Sequence, residues 1–185
     1  MLKKVLAFVD GENLVCRFQA IKEAGRVPKP EVIHETDSFV WVPEITRWTM
    51  MDLIRVTYYT SVVGDGEKVR AIEGKISNTR YVCRSQEYVG DAKLIPRVHK
   101  KHRDSKKSKV VDIDIAIDVM KAALEMPIDG IFLLTGDGDY LTLVQEVTRS
   151  SSKQIYLGAF SSGLAPELPN NVEEFLDLDP MFFVS

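Results

Sequence analysis

The stretch Leu133-Leu134-Thr135-Gly136-Asp137-Gly138-Asp139-Tyr140 decides how the chain is read. The apolar run Gly130-Ile131-Phe132-Leu133-Leu134 leads into it. That run is short, opens on glycine, and has the composition of a strand buried on both faces. Downstream, Tyr140-Leu141-Thr142-Leu143-Val144-Gln145-Glu146-Val147 carries apolar residues at helical spacing. Asp137 and Asp139 therefore fall where a buried strand turns into a helix. In an open parallel sheet, ligands bind at that carboxyl end of a strand. Gly136 and Gly138 take side chains out of the turn and let a ligand approach the backbone. Asp139 is also placed to cap the helix, but capping does not account for Asp137.

A matching feature stands near the other end of the chain, Val5-Leu6-Ala7-Phe8-Val9-Asp10-Gly11-Glu12-Asn13. Again a buried-strand run ends in aspartate and glycine. Two strands that both end in acid predict one shared acidic site. Neighbouring carboxylates repel, so they stay together only if a cation neutralises them or one holds a proton. Hard oxygen donors of this kind suit magnesium or manganese.

The 185 residues, 45% hydrophobic and 28% charged, are ordinary for one globular domain spanning 1–185. No apolar run reaches transmembrane length. Met1-Leu2-Lys3-Lys4 leads directly into a strand, so no signal peptide is expected. Two distant cysteines, Cys16 and Cys83, make neither a disulfide framework nor a zinc pattern, and each is expected to be a buried thiol. A cytoplasmic protein without membrane contact is the resulting expectation. The net charge of −3 argues by itself against a nucleic-acid binder. Its distribution argues the other way. Between Arg97 and Lys109 stand Arg97, Lys100, Lys101, Arg103, Lys106, Lys107 and Lys109 against the single acid Asp104. A basic run in an acidic chain is an electrostatic footprint for phosphate, or else a solvated loop.

Taken in order, the pattern predicts a strand over 4–10 and a helix over 12–24 with Leu14, Phe18 and Ile21 on one face. Residues 27–49 are irregular and are read as a loop or small insertion beside the site, with Phe39, Trp41 and Trp48 as packing aromatics. A second strand covers 53–60, a helix 67–76, a third strand begins at Tyr81 and runs toward Val89, and the basic loop follows. A helix then begins near Lys109, with Ile113, Ile117, Met120 and Leu124 on its apolar face and Asp114, Asp118, Lys121 and Glu125 on a solvent stripe. Asp112 lies off that stripe near the helix start, where it is either a cap or a ligand. A fifth strand covers 154–158, Val172–Leu176 reads as a short helix, and Phe182-Phe183-Val184 pack on the sheet. The alternation of strand and helix calls for a five-stranded, mostly parallel sheet with helices on both faces. In the order 3-2-1-4-5, Asp10 and Asp137 flank one crevice.

Three motifs carry a resemblance: Val9-Asp10-Gly11-Glu12-Asn13, Lys109-Val110-Val111-Asp112-Ile113-Asp114-Ile115-Ala116-Ile117-Asp118, and Leu134-Thr135-Gly136-Asp137-Gly138-Asp139-Tyr140. In this order and spacing they resemble the NYN domain, and within it the LabA-like branch, of the PIN-like nuclease superfamily. The resemblance spans nearly the whole chain. It implies a Rossmann-like three-layer sandwich, a magnesium or manganese site, RNA as partner, and endonucleolytic cleavage of RNA. Carried across, the catalytic and metal-binding residues are Asp10, Asp112, Asp137 and Asp139, supported by Asn13, Asp118 and Thr135. Two positions depart from the family pattern: Val110 replaces a glycine, and Glu173-Glu174-Phe175 replaces a Ser, Leu, Asp run before an aromatic.

Two other readings compete. Gly136-Asp137-Gly138 is similar to the late motif of haloacid-dehalogenase-like phosphatases, but the position their aspartyl nucleophile needs is Phe8, which cannot attack phosphorus. The second is a regulatory module with the same fold that binds RNA or a partner and cleaves little.

Overall fold

The computed structural model describes residues 2–47, 51–84, 89–101 and 109–184. The elements run β1 (Lys3–Asp10), α1 (Gly11–Glu23), β2 (Ile33–Glu35), β3 (Phe39–Trp41), α2 (Glu44–Arg47), β4 (Met51–Val63) and α3 (Gly66–Asn78). They continue with β5 (Arg80–Arg84), β6 (Val89–Lys93), β7 (Ile95–Lys101), α4 (Lys109–Glu125), β8 (Gly130–Leu134), α5 (Leu141–Ser150), β9 (Gln154–Ala159), β10 (Glu174–Asp177) and α6 (Asp179–Phe182).

Six strands form the central sheet in the order β10-β9-β8-β1-β4-β7, and every neighbouring pair is parallel. Numbered among themselves along the chain, these strands lie 3-2-1-4-5-6. The predicted order therefore holds, with a sixth strand added outside the fifth. The chain switches direction between β1 and β8, whose register pairs Val9 with Leu134. Period-two alternation along β1 sorts the core into two layers. Val5, Ala7 and Val9 face α1, the β2–β3 hairpin and α3. Leu6 and Phe8 face α4 and α5 through Val111, Ile115, Val119, Val144 and Val147. The result is an α/β sandwich of three layers. Among the described residues no helix is long and apolar enough to cross a membrane.

Four expectations from the sequence need correction. The third parallel strand is β7, not the segment beginning at Tyr81, which instead forms the antiparallel hairpin β5–β6 outside the main sheet. The charged residues of β7 hid it, because an edge strand exposes alternate side chains and so tolerates them. The tail around Phe175 is the strand β10, not a helix. Residues 27–49 are not irregular throughout: Phe39, Val40, Trp41 and Val42 are fully buried, and Trp41 Nε1 donates to the Arg80 carbonyl at 3.2 Å. Trp48 lies outside the described residues.

The fourth correction concerns α4. Its buried face is Val111, Ile115, Val119, Ala122 and Ala123, while Ile113, Ile117 and Leu124 are exposed. The helix is apolar on more than one side, so helical spacing cannot choose the inward stripe. The stripe with the smaller residues packs on the sheet, about half a turn from the one expected. Phe182 and Phe183 are buried as expected and stack around Phe18 and Phe160, whereas Val184 is exposed.

Gly11 permits the closest approach in the sheet. A Cβ there would lie 2.5 Å from the Tyr59 carbonyl oxygen and inside contact distance of the Tyr58 ring. The first turn of α1 can sit over β4 only without a side chain. Gly11→Ala is expected to destabilise the protein by about 1–3 kcal/mol through overpacking, measured by urea unfolding. An unchanged midpoint would show that the helix start moves freely.

Candidate functional site

Asp10 ends β1 and caps α1. Its Oδ1 accepts the Asn13 backbone N–H at 3.0 Å, and its Oδ2 accepts the Thr135 hydroxyl at 2.9 Å. Thr135, fully buried, directly follows β8. The same Thr135 oxygen accepts the Asp137 N–H at 3.1 Å, and Asn13 Oδ1 accepts the Gly136 N–H at 3.0 Å. Asn13 and Thr135, the two supporting residues from the first and third motifs, thus stitch the end of β1 to the turn after β8.

Asp137 Oδ1 accepts the Asp139 N–H at 3.0 Å and caps the short 3-10 turn Gly138–Tyr140. The capping acid is therefore Asp137 rather than Asp139, and α5 itself has no side-chain cap. Tyr140, buried, donates its hydroxyl to Asp112 Oδ1 at 3.2 Å. Asp112 lies in the first turn of α4, three residues after its start, so it is not the residue capping that helix. Asp118 is held by the Tyr59 hydroxyl at 2.7 Å.

A cleft of about 750 Å³ opens over these residues, and Asp10, Asn13, Asp112 and Asp137 all line it. Asp139 is exposed and Asp118 half-buried, and neither is in the cleft lining. Of the basic residues named from the sequence, Lys101 lines the cleft. Arg97 and Lys100 are exposed on β7, and Lys109 is exposed at the start of α4. Arg103, Lys106 and Lys107 lie outside the described residues.

Sequence reasoning missed Arg17, Lys68 and Glu12, all of which line the cleft. Arg17 is one helical turn beyond Asn13, a spacing that places both on one face of α1. Its guanidinium occupies the space where Gly163, at φ +74, would carry a side chain. Lys68 comes from α3, and only the tertiary fold reveals it. Glu12 accepts the Ser61 hydroxyl and pairs with Lys101 Nζ at 3.3 Å. Cys16, expected to be buried, is exposed on the cleft wall; Cys83 is half-buried, and both thiols are free.

Burial pushes the Asp10 carboxyl up to about 7. The Asn13 N–H and Thr135 hydroxyl pull it down, and the charges of Asp112 and Asp137 raise it further. Burial also holds the Tyr140 hydroxyl far above its ordinary range, reinforced by Asp10 and Asp112. Tyr140 therefore stays a donor to Asp112. Among the described residues no three His, Cys, Asp or Glu side chains converge closely enough to enclose an ion. The donor set nevertheless fits one in kind. Three carboxylates face one cleft, and their mutual repulsion is the condition a divalent cation relieves.

A parallel sheet with carboxylates at the switch point between its first and fourth strands is the architecture of PIN-like nucleases. The chain belongs to the NYN domain family of that superfamily, whose model matches residues 4–179. A crystal structure of a protein of unknown function from Vibrio parahaemolyticus RIMD 2210633 has the same fold. It aligns with a TM-score of 0.66 over 99% of this chain and 97% of that one, at 15% identity. No curated protein matches the chain.

The raised Asp10 carboxyl has a consequence for stability. Its folded pKa of about 7 lies above the ordinary 3.8, so the folded state binds the extra proton. Stability contributed by the protonated form is full below pH 3.8 and is lost as pH rises toward 7. In chelator-treated buffer at pH 8, Asp10→Asn is expected to unfold at higher urea than wild type, by on the order of a few kcal/mol. Near pH 4 the difference should vanish. A variant less stable than wild type at pH 8 would contradict this electrostatic account.

Proposed function

We propose that this NYN domain, taken as one domain over the whole chain, is a divalent-metal-dependent endoribonuclease. The observation that carries the reading is the meeting of Asp10, Asp112 and Asp137, from three separate elements, on one cleft. Asp10, Asp112 and Asp137 would hold magnesium or manganese, with the exposed Asp139, two residues beyond Asp137, as a further ligand. When bound, the ion supplies the Lewis acid and the lowered water pKa that phosphodiester hydrolysis needs. The protein's own residues do the positioning. Thr135 and the Asn13 backbone fix both oxygens of Asp10, and Tyr140 fixes Asp112. Arg17, Lys68 and Lys101 place positive charge along the cleft, where a phosphate backbone would otherwise meet only acids.

A second reading has one observation in its favour. Asp10 and Asp137 already accept hydrogen bonds from protein donors, and no ready-made cage exists among the described residues. A domain in this state would bind RNA and cleave slowly. Metal-dependent cleavage of mixed RNA by purified variants separates the two. Asp10→Asn, Asp112→Asn and Asp137→Asn should each lose at least about a hundredfold in rate, in the range of other electrostatic contributions to catalysis. Asp139→Asn and Asp118→Asn should lose about tenfold, the effect of residues that orient a ligand. Asp114→Asn, outside the cleft lining, should be nearly silent. Wild-type activity equal to that of Asp137→Asn would favour the binding module.

The basic wall has its own test. Replacing Arg17, Lys68 and Lys101 together by alanine should weaken RNA binding and reduce its log–log salt slope by about 2, as for three lost contacts to single-stranded phosphate. An unchanged slope would remove these residues from the RNA path.

A further inference from the structure

The outer face of α4 carries a second feature, separate from the cleft. Val110, Ile113, Ile117 and Leu124 are 50%, 55%, 46% and 58% exposed, with half-buried Met120 between the last two. Positions 110, 113, 117, 120 and 124 alternate steps of three and four, the spacing of a coiled-coil seam. Scattered single apolar residues are normal on a surface, but a continuous seam along one helix is not. The opposite side of the helix is committed to the sheet through Val111, Ile115 and Val119.

We propose that this face binds a second copy of the same chain, with the two α4 helices packed antiparallel about a two-fold axis at Ile117. The charges beside the seam argue for that occupant, because they complement those of a second copy of the same helix. Asp114 and Lys121 flank it on the same side, three residues before and four after Ile117. In an antiparallel pair, like flanks face each other, and a two-fold axis makes each contact occur twice. Asp114 of one copy then lies beside Lys121 of the other, within about 1.5 Å along the axis, and the reverse pair forms as well. The other flank holds the half-buried Ala116 and, at the start of the helix, the exposed Lys109. A parallel pair would instead bring Lys109 of one copy near Asp114 of the other and leave Lys121 unmatched, so the mixing experiment below decides the direction. His99 Nε2 lies 2.8 Å from Asp114 Oδ2, and the other carboxylate oxygen can accept from the partner lysine. Central contacts are then Ile117 on Ile117, Ile113 on Met120 and Val110 on Leu124.

Sedimentation equilibrium of the full chain tests the pairing. Wild type should be a dimer at micromolar concentration. Ile117→Glu sets two carboxylates face to face on the axis and should raise the dissociation constant by more than about a hundredfold. Because Ile117 is exposed, its circular dichroism melt should stay close to wild type. D114K and K121D each put like charges together and should weaken the dimer by at least about tenfold. Mixing D114K with K121D should restore a one-to-one heterodimer, because each contact then joins opposite charges. A monomeric wild type would overturn the proposal, as would a dimer indifferent to Ile117→Glu or a mixture that fails to pair.

Discussion

The hydrogen bond from Thr135 to Asp10 joins the ends of two neighbouring parallel strands, and the rest of the site depends on it. Asp10 is 2% exposed, so its carboxylate has little water to solvate it. Burying such a group costs several kcal/mol unless donors or opposite charge offset it. The Thr135 hydroxyl and the Asn13 N–H supply donors. The charges of Asp112 and Asp137 raise the cost further. The fold therefore maintains an electrostatic imbalance at one point, which a divalent cation would correct.

The surroundings are built to hold that imbalance in place. The Thr135 oxygen both donates to Asp10 and accepts from the Asp137 backbone, so one side chain sets the spacing of two acids. Gly11 lets α1 start directly over β4, which brings Asn13 to the Gly136 N–H. Tyr140 reaches from the end of the 3-10 turn to Asp112 across the gap between elements. Each proposed ligand in the cleft accepts a hydrogen bond from a neutral side chain or from backbone. Among the described residues, Arg17, Lys68 and Lys101 line the same cleft from α1, α3 and β7, and Lys101 pairs with Glu12.

Much of this was legible in the sequence, for physical reasons. Runs such as Val5–Val9 and Gly130–Leu134 are apolar on both faces, so they could only be central strands, and their terminal acids marked the crevice. The strand order 3-2-1-4-5, the usual one for such an alternation, then put Asp10 and Asp137 on one crevice. Three kinds of information were not legible. The edge strand β7 is disguised by Arg97, Lys100 and Lys101, whose charges suit both an exposed edge and a solvated loop. The inward face of α4 is ambiguous because apolar residues occupy two sides, and the sheet selects the stripe with small side chains. Lys68 reaches the cleft from α3, and no local pattern connects it to Asp10. The second apolar side of α4, surplus to the core, is the same feature that misled the helical reading.

The central claim is that the acids at the strand ends act as one divalent-ion site, and calorimetric titration of manganese tests it most directly. Wild type and Asp137→Asn would be titrated under identical conditions, with folding checked by circular dichroism. The account predicts one ion bound by wild type and at least about tenfold weaker binding by the variant, the effect expected on losing a ligand or its support. Equal affinity in the two proteins, or no binding to wild type, would contradict it.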